Sequence, residues 1–391
     1  MLKLLTKSKN ASHSCLHIFS ASIFYAFHYY FILYINSSYL EMIMPRSMIG
    51  ILYAVASALT ILILYKLSRI IERIGILKTF ITLSLVDIAS LSVIVITDNV
   101  NFIIPAFLVY LSLPVLMIVC LDTAIEDTAE AFTMGKTRGI FLTVLATASV
   151  LSPLAIGGMV AENGFKQVYL FSLFFLCIFL LVIIINRDQF TKAKLTTIKG
   201  FDSIKEFLSI PNIRRIGIIN FALQFFFSWL VIYIPIYLST KMGFSWEDIG
   251  IIISITLLPF VILEIPAGEL ADNVLGEKEM LLGGMIFMII ASLLFPALPK
   301  GAFMLWTLVI LLGRIGASIM ETMVESYFFK KSEGKDELIE VFRMTQPLAY
   351  IAGPLVGSVM LLYVPFAYIF PILAVVLLGA MLPAMRIENT K

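Results

Sequence analysis

Twelve long apolar runs, separated by short polar stretches, constrain this chain more than any other feature. They fall near residues 18–40, 47–67, 76–97, 101–123, 139–161 and 167–186, then 215–239, 247–271, 279–298, 302–328, 341–363 and 365–385. A helix needs about 20 apolar residues to cross a bilayer, and each run is long enough for one crossing. Composition agrees: of 391 residues 60% are hydrophobic, only 14% are charged and the mean hydropathy is +1.00, whereas soluble domains carry about a quarter charged residues. The chain therefore reads as an all-α polytopic membrane protein with the lipid bilayer as its solvent, and a soluble fold is excluded. The first run follows Lys3, Lys7 and Lys9, but it is too long and too polar at its far end (Asn36, Ser37, Ser38) for a cleaved secretion signal, so it reads as a retained helix.

The polar connections carry a strong charge asymmetry. With the amino terminus inside, the tails and even-numbered connections hold 23 Lys and Arg, the opposite side holds four (Arg46, Lys166, Lys241, Lys300), and Arg314 lies within a run. The positive-inside rule then places both termini in the cytoplasm, and a compact chain of this kind fits a cell membrane. The longest polar segment contains an amphipathic stretch at Phe201–Ile210 and divides the chain into residues 1–186, a linker at 187–214 and residues 215–391.

Several function classes drop out. A net charge of +2 gives no reason to expect a nucleic-acid partner. Cys15, Cys120 and Cys177 form neither a disulfide framework nor a metal spacing, and His13 and His17 beside Cys15 lack a nearby carboxylate. Neither a metal nor a cofactor is expected. The sequence has no G-x4-G-K-[ST], H-E-x-x-H or G-x-S-x-G pattern, so neither a nucleotide-driven pump nor a familiar enzyme is indicated.

An internal repeat links the halves. A shift of 200 residues sets Ile49-Gly50-Ile51 on Ile249-Gly250-Ile251, Ser68 on Gly268, Glu72 on Asp272 and Arg73 on Asn273; one extra residue then aligns Gly75 with Gly276. A shift of 199 sets Asp122 and Glu126 on Glu321 and Glu325. Six crossings per half return the chain to its starting side, which implies two six-helix bundles related by a pseudo-two-fold axis along the membrane normal.

In these features the chain resembles the major facilitator superfamily. That family carries a loop signature G-x3-D-[RK]-x-G-x-[RK]-[RK] between spans two and three, often echoed between spans eight and nine. The first copy here runs from Ser68 through Glu72, Arg73 and Gly75 to Lys78. The second runs from Gly268 through Asp272, Asn273 and Gly276 to Lys278. The resemblance implies a cytoplasmic gate in which Glu72 and Asp272 pair with bases of the neighbouring half. It implies a second set of gate pairs from Glu126 with Arg138 and from Glu325 with Arg343. Solvated charges that only mark topology are the alternative reading. Pro153, Gly157 and Gly158 on the fifth span, and Gly353, Pro354 and Gly357 on the eleventh, are candidate helix pivots. The fifth-span group resembles the family's antiporter motif, with Ser152 in place of its leading Gly.

Candidate substrate or proton-coupling residues follow from charge at membrane depth. Arg314, Glu321 and Glu325 stand at i, i+7 and i+11, one stripe on the tenth span. Arg314 is the leading contact for an anionic or polar substrate group, with a structural ion pair to Glu264 or Glu321 as the alternative. Asp122, Glu264 and Glu321 are candidate protonation sites. Asp87, on the third span, reads as a structural pairing. Tyr25, His28, Asn36 and Tyr39 on the first span, and Asn220, Gln224 and Ser228 on the seventh, read as cavity-facing stripes, and His28 is a candidate group for gating proton coupling, with a hydrogen-bonded packing role as the alternative. The expected function is a secondary active transporter working by alternating access, monomeric, using protons to export a small amphipathic compound. The alternatives are proton-coupled uptake of a sugar, amino acid or organic anion, and a non-transporting receptor or scaffold.

Overall fold

The computed structural model describes residues 2–128, 134–190, 201–332 and 335–390, and every element among them is helical. The first part of the chain forms α1 (Leu2–Leu33), α2 (Asn36–Ile43), α3 (Arg46–Ile74), α4 (Ile76–Ile96), α5 (Val100–Ser112), α6 (Pro114–Thr128), α7 (Met134–Asn163) and α8 (Phe165–Ile185). Then follow α9 (Phe201–Ser209), α10 (Pro211–Tyr237), α11 (Trp246–Leu257), α12 (Pro259–Ile262), α13 (Glu264–Leu270), α14 (Glu277–Leu294), α15 (Phe303–Ser332), α16 (Asp336–Arg343), α17 (Thr345–Tyr363) and α18 (Phe370–Met385).

Among the described residues, ten helical stretches are long and apolar enough to cross a membrane, and two bent pairs bring the number to twelve. Each of the twelve apolar runs has its counterpart. The last two are parted by Val364 in extended conformation followed by Pro365. One of the bends has a clear local cause. Between α12 and α13 the chain turns by 41°, where Pro266 lacks the amide that would bond the carbonyl four residues back. Between α1 and α2 it turns by 42°, just ahead of the polar run Asn36, Ser37 and Ser38. That bend corrects the reading of the first span as one continuous face: Tyr25 and His28 lie before it, Asn36 and Tyr39 after it.

The helices pack as two units. The first comprises Met1–Leu33 and Leu59–Thr197, the second Tyr34–Ala58 and Ile198–Lys391. In the first unit α1 packs on α6, α7 and α8, and α4 on α5 and α8, around the buried rings of Tyr25, Phe80, Phe107, Tyr110, Tyr169 and Phe179. In the second unit α10 is the central helix, against α2, α15, α17 and α18. Close approach there depends on glycine. A Cβ at Gly284 would press on the Gly316 carbonyl, and one at Gly50 on the Pro354 carbonyl. Apolar side chains such as Ile96, Phe102, Ile185 and Val375 are exposed, as a surface solvated by lipid requires.

The two copies of the loop signature end alike. Gly75 (φ 83°) and Gly276 (φ 102°) both adopt positive φ immediately before a helix, α4 and α14, a conformation that side chains strain. The residue that breaks the 200-residue register also has a place. Ala271–Leu275 form a π-helical turn just before Gly276, and a π turn accommodates one additional residue within a helix.

Candidate functional site

The tenth-span stripe is carried by α15, a continuous helix of 30 residues, so Arg314, Glu321 and Glu325 share a face as their spacing requires. Arg314 is 5% exposed. No carboxylate among the described residues reaches it within ion-pair distance. Its Nη2 donates a long hydrogen bond to the Tyr34 hydroxyl at 3.4 Å, and its Nε has no partner. The guanidinium lies over two aromatic faces, Phe227 of α10 at 5.8 Å and Phe260 of α12 at 5.9 Å, an arrangement that attracts a weakly hydrated cation. The structural ion pair to Glu264 or Glu321 is therefore not formed.

Further along the stripe on α15 stand Glu321 and Glu325, with Glu264 at the start of α13, which packs on α15. Glu264 and Glu321 are partly buried and Glu325 is exposed. They are close enough to repel one another electrostatically, and Arg314 attracts Glu321 from two turns away. Three acids that repel one another hold net negative charge when all are ionised, so binding of protons here relieves repulsion.

The seventh-span stripe is split between roles. Asn220 donates to Thr345 Oγ1 at 2.7 Å and Ser228 packs on Gly353, so both face α17, while Gln224 is half-buried between them. Asn36 is buried in α2, which packs on α10. Asp122 is partly buried on α6. His28, in the first unit, faces Asp87 and Ser172; the pairing expected of Asp87 is thus present, with a partner that spacing did not identify.

The candidate gate residues are placed as follows. Glu72 and Arg73 are exposed at the end of α3. Asp272 is held by Lys330 of its own unit at 2.8 Å, and Lys330 also reaches Glu277 at 2.7 Å. Arg343 lies 3.7 Å from Glu340, one turn earlier on α16. The side chains of Glu126 and Arg138 lie outside the described residues. Among the described residues nothing approaches the position of a Cβ at Gly268 or Gly158, so neither glycine serves a close approach in this state.

Gly353 and Gly357 face α10 of the same unit. A Cβ at Gly353 would strike Ser228, and one at Gly357 the Tyr233 ring. The backbone there is clasped by two side-chain donors: Trp229 Nε1 to the Gly353 carbonyl at 2.7 Å and Tyr233 to the Pro354 carbonyl at 2.9 Å. Pro153 and Pro354 both sit inside continuous helices.

The sequence model described as Major Facilitator Superfamily matches residues 15–337 and 216–390. The chain belongs to the major facilitator superfamily. It is thus a multi-pass membrane transporter rather than an enzyme, and members of this superfamily bind small-molecule substrates. No curated protein matches the sequence. Solved structures share the fold at low identity. The POT family transporter PepTSo is 11% identical, with a TM-score of 0.74 over 95% of this chain and 96% of its own. An auto-inhibited POT family peptide transporter is 12% identical, with a TM-score of 0.76 over 97% and 98%. The human organic anion transporter MFSD10 (TETRAN) is 14% identical, with a TM-score of 0.65 over 96% and 99%.

The residues that spacing did not reveal are the aromatic neighbours of Arg314. Phe227, Phe260 and Tyr34 lie within apolar runs, on three segments distant in sequence, and nothing in their local pattern distinguishes them from lipid-facing or core side chains. A second omission is the carboxyl-terminal tail. Asn389 accepts from the Lys278 amide at 3.0 Å and donates to Glu279 at 2.8 Å, and Thr390 bonds Glu277, so the tail lies across the second loop signature.

Proposed function

We propose that this superfamily member is a secondary active transporter that exports a small amphipathic organic anion by alternating access, with protons as the coupling ion. The carrying observation is Arg314: a buried guanidinium with an unpartnered Nε, no carboxylate within ion-pair distance among the described residues, and aromatic faces on two sides. An uncompensated buried cation is costly, and an arriving anionic group supplies the missing partner. The flanking rings suit the apolar body of an amphipathic molecule. The organic anion transport named for the human relative of the same fold is in keeping with this choice.

Glu264, Glu321 and Glu325 are the coupling carboxylates in this reading. Protons and the anion act on the same local charge balance, so occupancy by one alters the affinity for the other. Export rests on the Pro153 and Gly157-Gly158 arrangement of α7. The cytoplasmic placement of both termini in a cell membrane rests on the lysine and arginine asymmetry, and a single chain is sufficient for the site described.

The test is proton flux in sealed proteoliposomes carrying an internal pH dye, challenged with pooled sugars, amino acids, organic anions and lipophilic cations. The organic-anion pool is expected to move protons through the unmodified protein and not through Arg314→Ala. A response confined to sugars or lipophilic cations contradicts the anion assignment. Silence from every pool, with exchange of labelled compounds intact, contradicts proton coupling.

A further inference from the structure

A second ionisable cluster lies in the first unit, and the proposed site does not use it. His28 on α1 and Asp87 on α4 approach at 3.2 Å from Nε2 to Oδ2 without the alignment of a hydrogen bond, so Nε2 and both Asp87 oxygens are unpartnered, and both side chains are fully buried. They are the only buried acid and base among the described residues of that unit. Ser172 on α8 touches the other side of the ring, with its Oγ 2.8 Å from Nδ1 and 2.9 Å from the His28 carbonyl oxygen.

The two Ser172 contacts favour one tautomer. The Ser172 hydroxyl donates its single hydrogen to the His28 carbonyl, which leaves Oγ to accept at Nδ1. Nδ1 therefore carries a hydrogen. In neutral imidazole Nε2 is then a bare acceptor, and it faces a carboxylate oxygen that is also an acceptor. Two lone pairs opposed at 3.2 Å in a buried site repel, and one proton between them turns repulsion into a charge-assisted hydrogen bond. The proton count is the same whether imidazolium faces carboxylate or imidazole faces carboxylic acid.

We propose that His28 and Asp87 form a binding site for one exchangeable proton, with Ser172 as the positioning residue that sets the histidine tautomer. Loaded, the pair has no net charge. On release, imidazolium and carboxylate become imidazole, carboxylate and a free proton, and the pair is left with one negative charge inside the bundle. Such a charge is unfavourable without water or a partner, so release requires a conformation that hydrates the pair. The bend after Leu33 lies five residues beyond His28 on the same helix and provides a place for α1 to move.

Other groups around the pair do not supply that charge. Tyr25 of α1, with its ring 5.4 Å from His28, has a buried hydroxyl without a hydrogen-bond partner, as does Ser84, one turn before Asp87 on α4. α5 presents Tyr110, its ring 6.5 Å from His28, and α6 carries buried Cys120 and partly buried Asp122. Ser172 and the Tyr169 ring come from α8, and on α7 the described acid, Glu162, is exposed.

Proton coupling through this site rests on the transport reading above, but occupancy can be measured without a substrate. The chain has three histidines, so protein labelled with 15N-histidine in lipid nanodiscs gives a resolvable spectrum when swept from about pH 5 to about pH 9. The His28 Nε2 resonance is expected to move in one step while Nδ1 stays protonated. Asp87→Asn should displace that step, and Ser172→Ala should let the two neutral tautomers mix above it. A Nε2 resonance that does not move with pH, or a step left unchanged by Asp87→Asn, overturns the proposal. Should Asp87→Asn not fold, a fixed Nδ1–H tautomer in Ser172→Ala overturns it equally, since the positioning role would then be absent. A His28 step without dye-detected proton flux in any pool leaves the site standing and tells against proton-coupled transport instead.

Discussion

His28 and Asp87 in the first unit approach each other to 3.2 Å beside Ser172, an acid and a base side by side, whereas Arg314 in the second unit is nearly as buried yet has only a long bond to Tyr34 and two aromatic faces. The first cluster matches one acid with one base. The second has an underused cation and, further along, three acids that repel one another. An ion pair completed within the protein needs nothing from outside except its proton. A buried charge lacking a partner is a vacancy for a ligand of opposite sign, and this difference assigns substrate contact to Arg314 and proton storage alone to His28.

The largest expected effect concerns Arg314. Arg314→Ala should lower the apparent affinity for the organic anion by at least about thirtyfold, because truncating one side of a buried, hydrogen-bonded charge pair costs about 2 to 5 kcal/mol. Arg314→Lys should recover part of it, since charge is kept while the planar fork and its stacking on Phe227 and Phe260 are lost. Competition of unlabelled against labelled anion measures both. If Arg314 were only a structural cation, alanine would lower the melting temperature and leave affinity unchanged.

Next comes the stability of the closed pair. Asp87→Ala should destabilise the protein by about 3 to 5 kcal/mol, as expected when a buried ion pair loses one member. Thermal unfolding in detergent measures the loss. Arg314→Ala should lack this penalty, since it removes a charge that has no close carboxylate partner.

Smaller effects test the packing that holds both sites. Gly353→Ala should cost about 1 to 3 kcal/mol through overpacking, since the new methyl falls against Ser228 beside the Trp229 bond to the same backbone. Lys330→Ala should cost about 1 to 3 kcal/mol, because the exposed Asp272 loses little but Glu277 is buried and keeps only its Thr390 partners. Gly158→Ala, with open space at that position among the described residues, should be close to neutral, and its melting curve beside that of Gly353→Ala separates a packing glycine from a permissive one.

Much of the architecture was legible in the sequence because membrane crossing is written in long apolar runs, and the superfamily resemblance rested on polar residues at matched helix ends. The π turn at Ala271–Leu275 explains why the repeat slipped by one residue before Gly276. Legibility ended where helices meet. The spacing that aligned Tyr25, His28, Asn36 and Tyr39 assumed a straight helix, and the bend after Leu33 separates them. Asp87 carried its own signal as an acid within a span, but its partner lies on a different helix and no periodicity connects the two. The stripe of Arg314, Glu321 and Glu325 was readable because all three lie on one uninterrupted helix.

The most direct measurement compares two modes of labelled-anion movement in the same proteoliposomes: exchange at symmetric pH, and net flux driven by a proton gradient. Glu321→Gln should keep exchange and lose proton-driven flux, while Arg314→Ala should lose both. Exchange that survives in Arg314→Ala at the unmodified rate and affinity would contradict the assignment of the anion to the buried guanidinium.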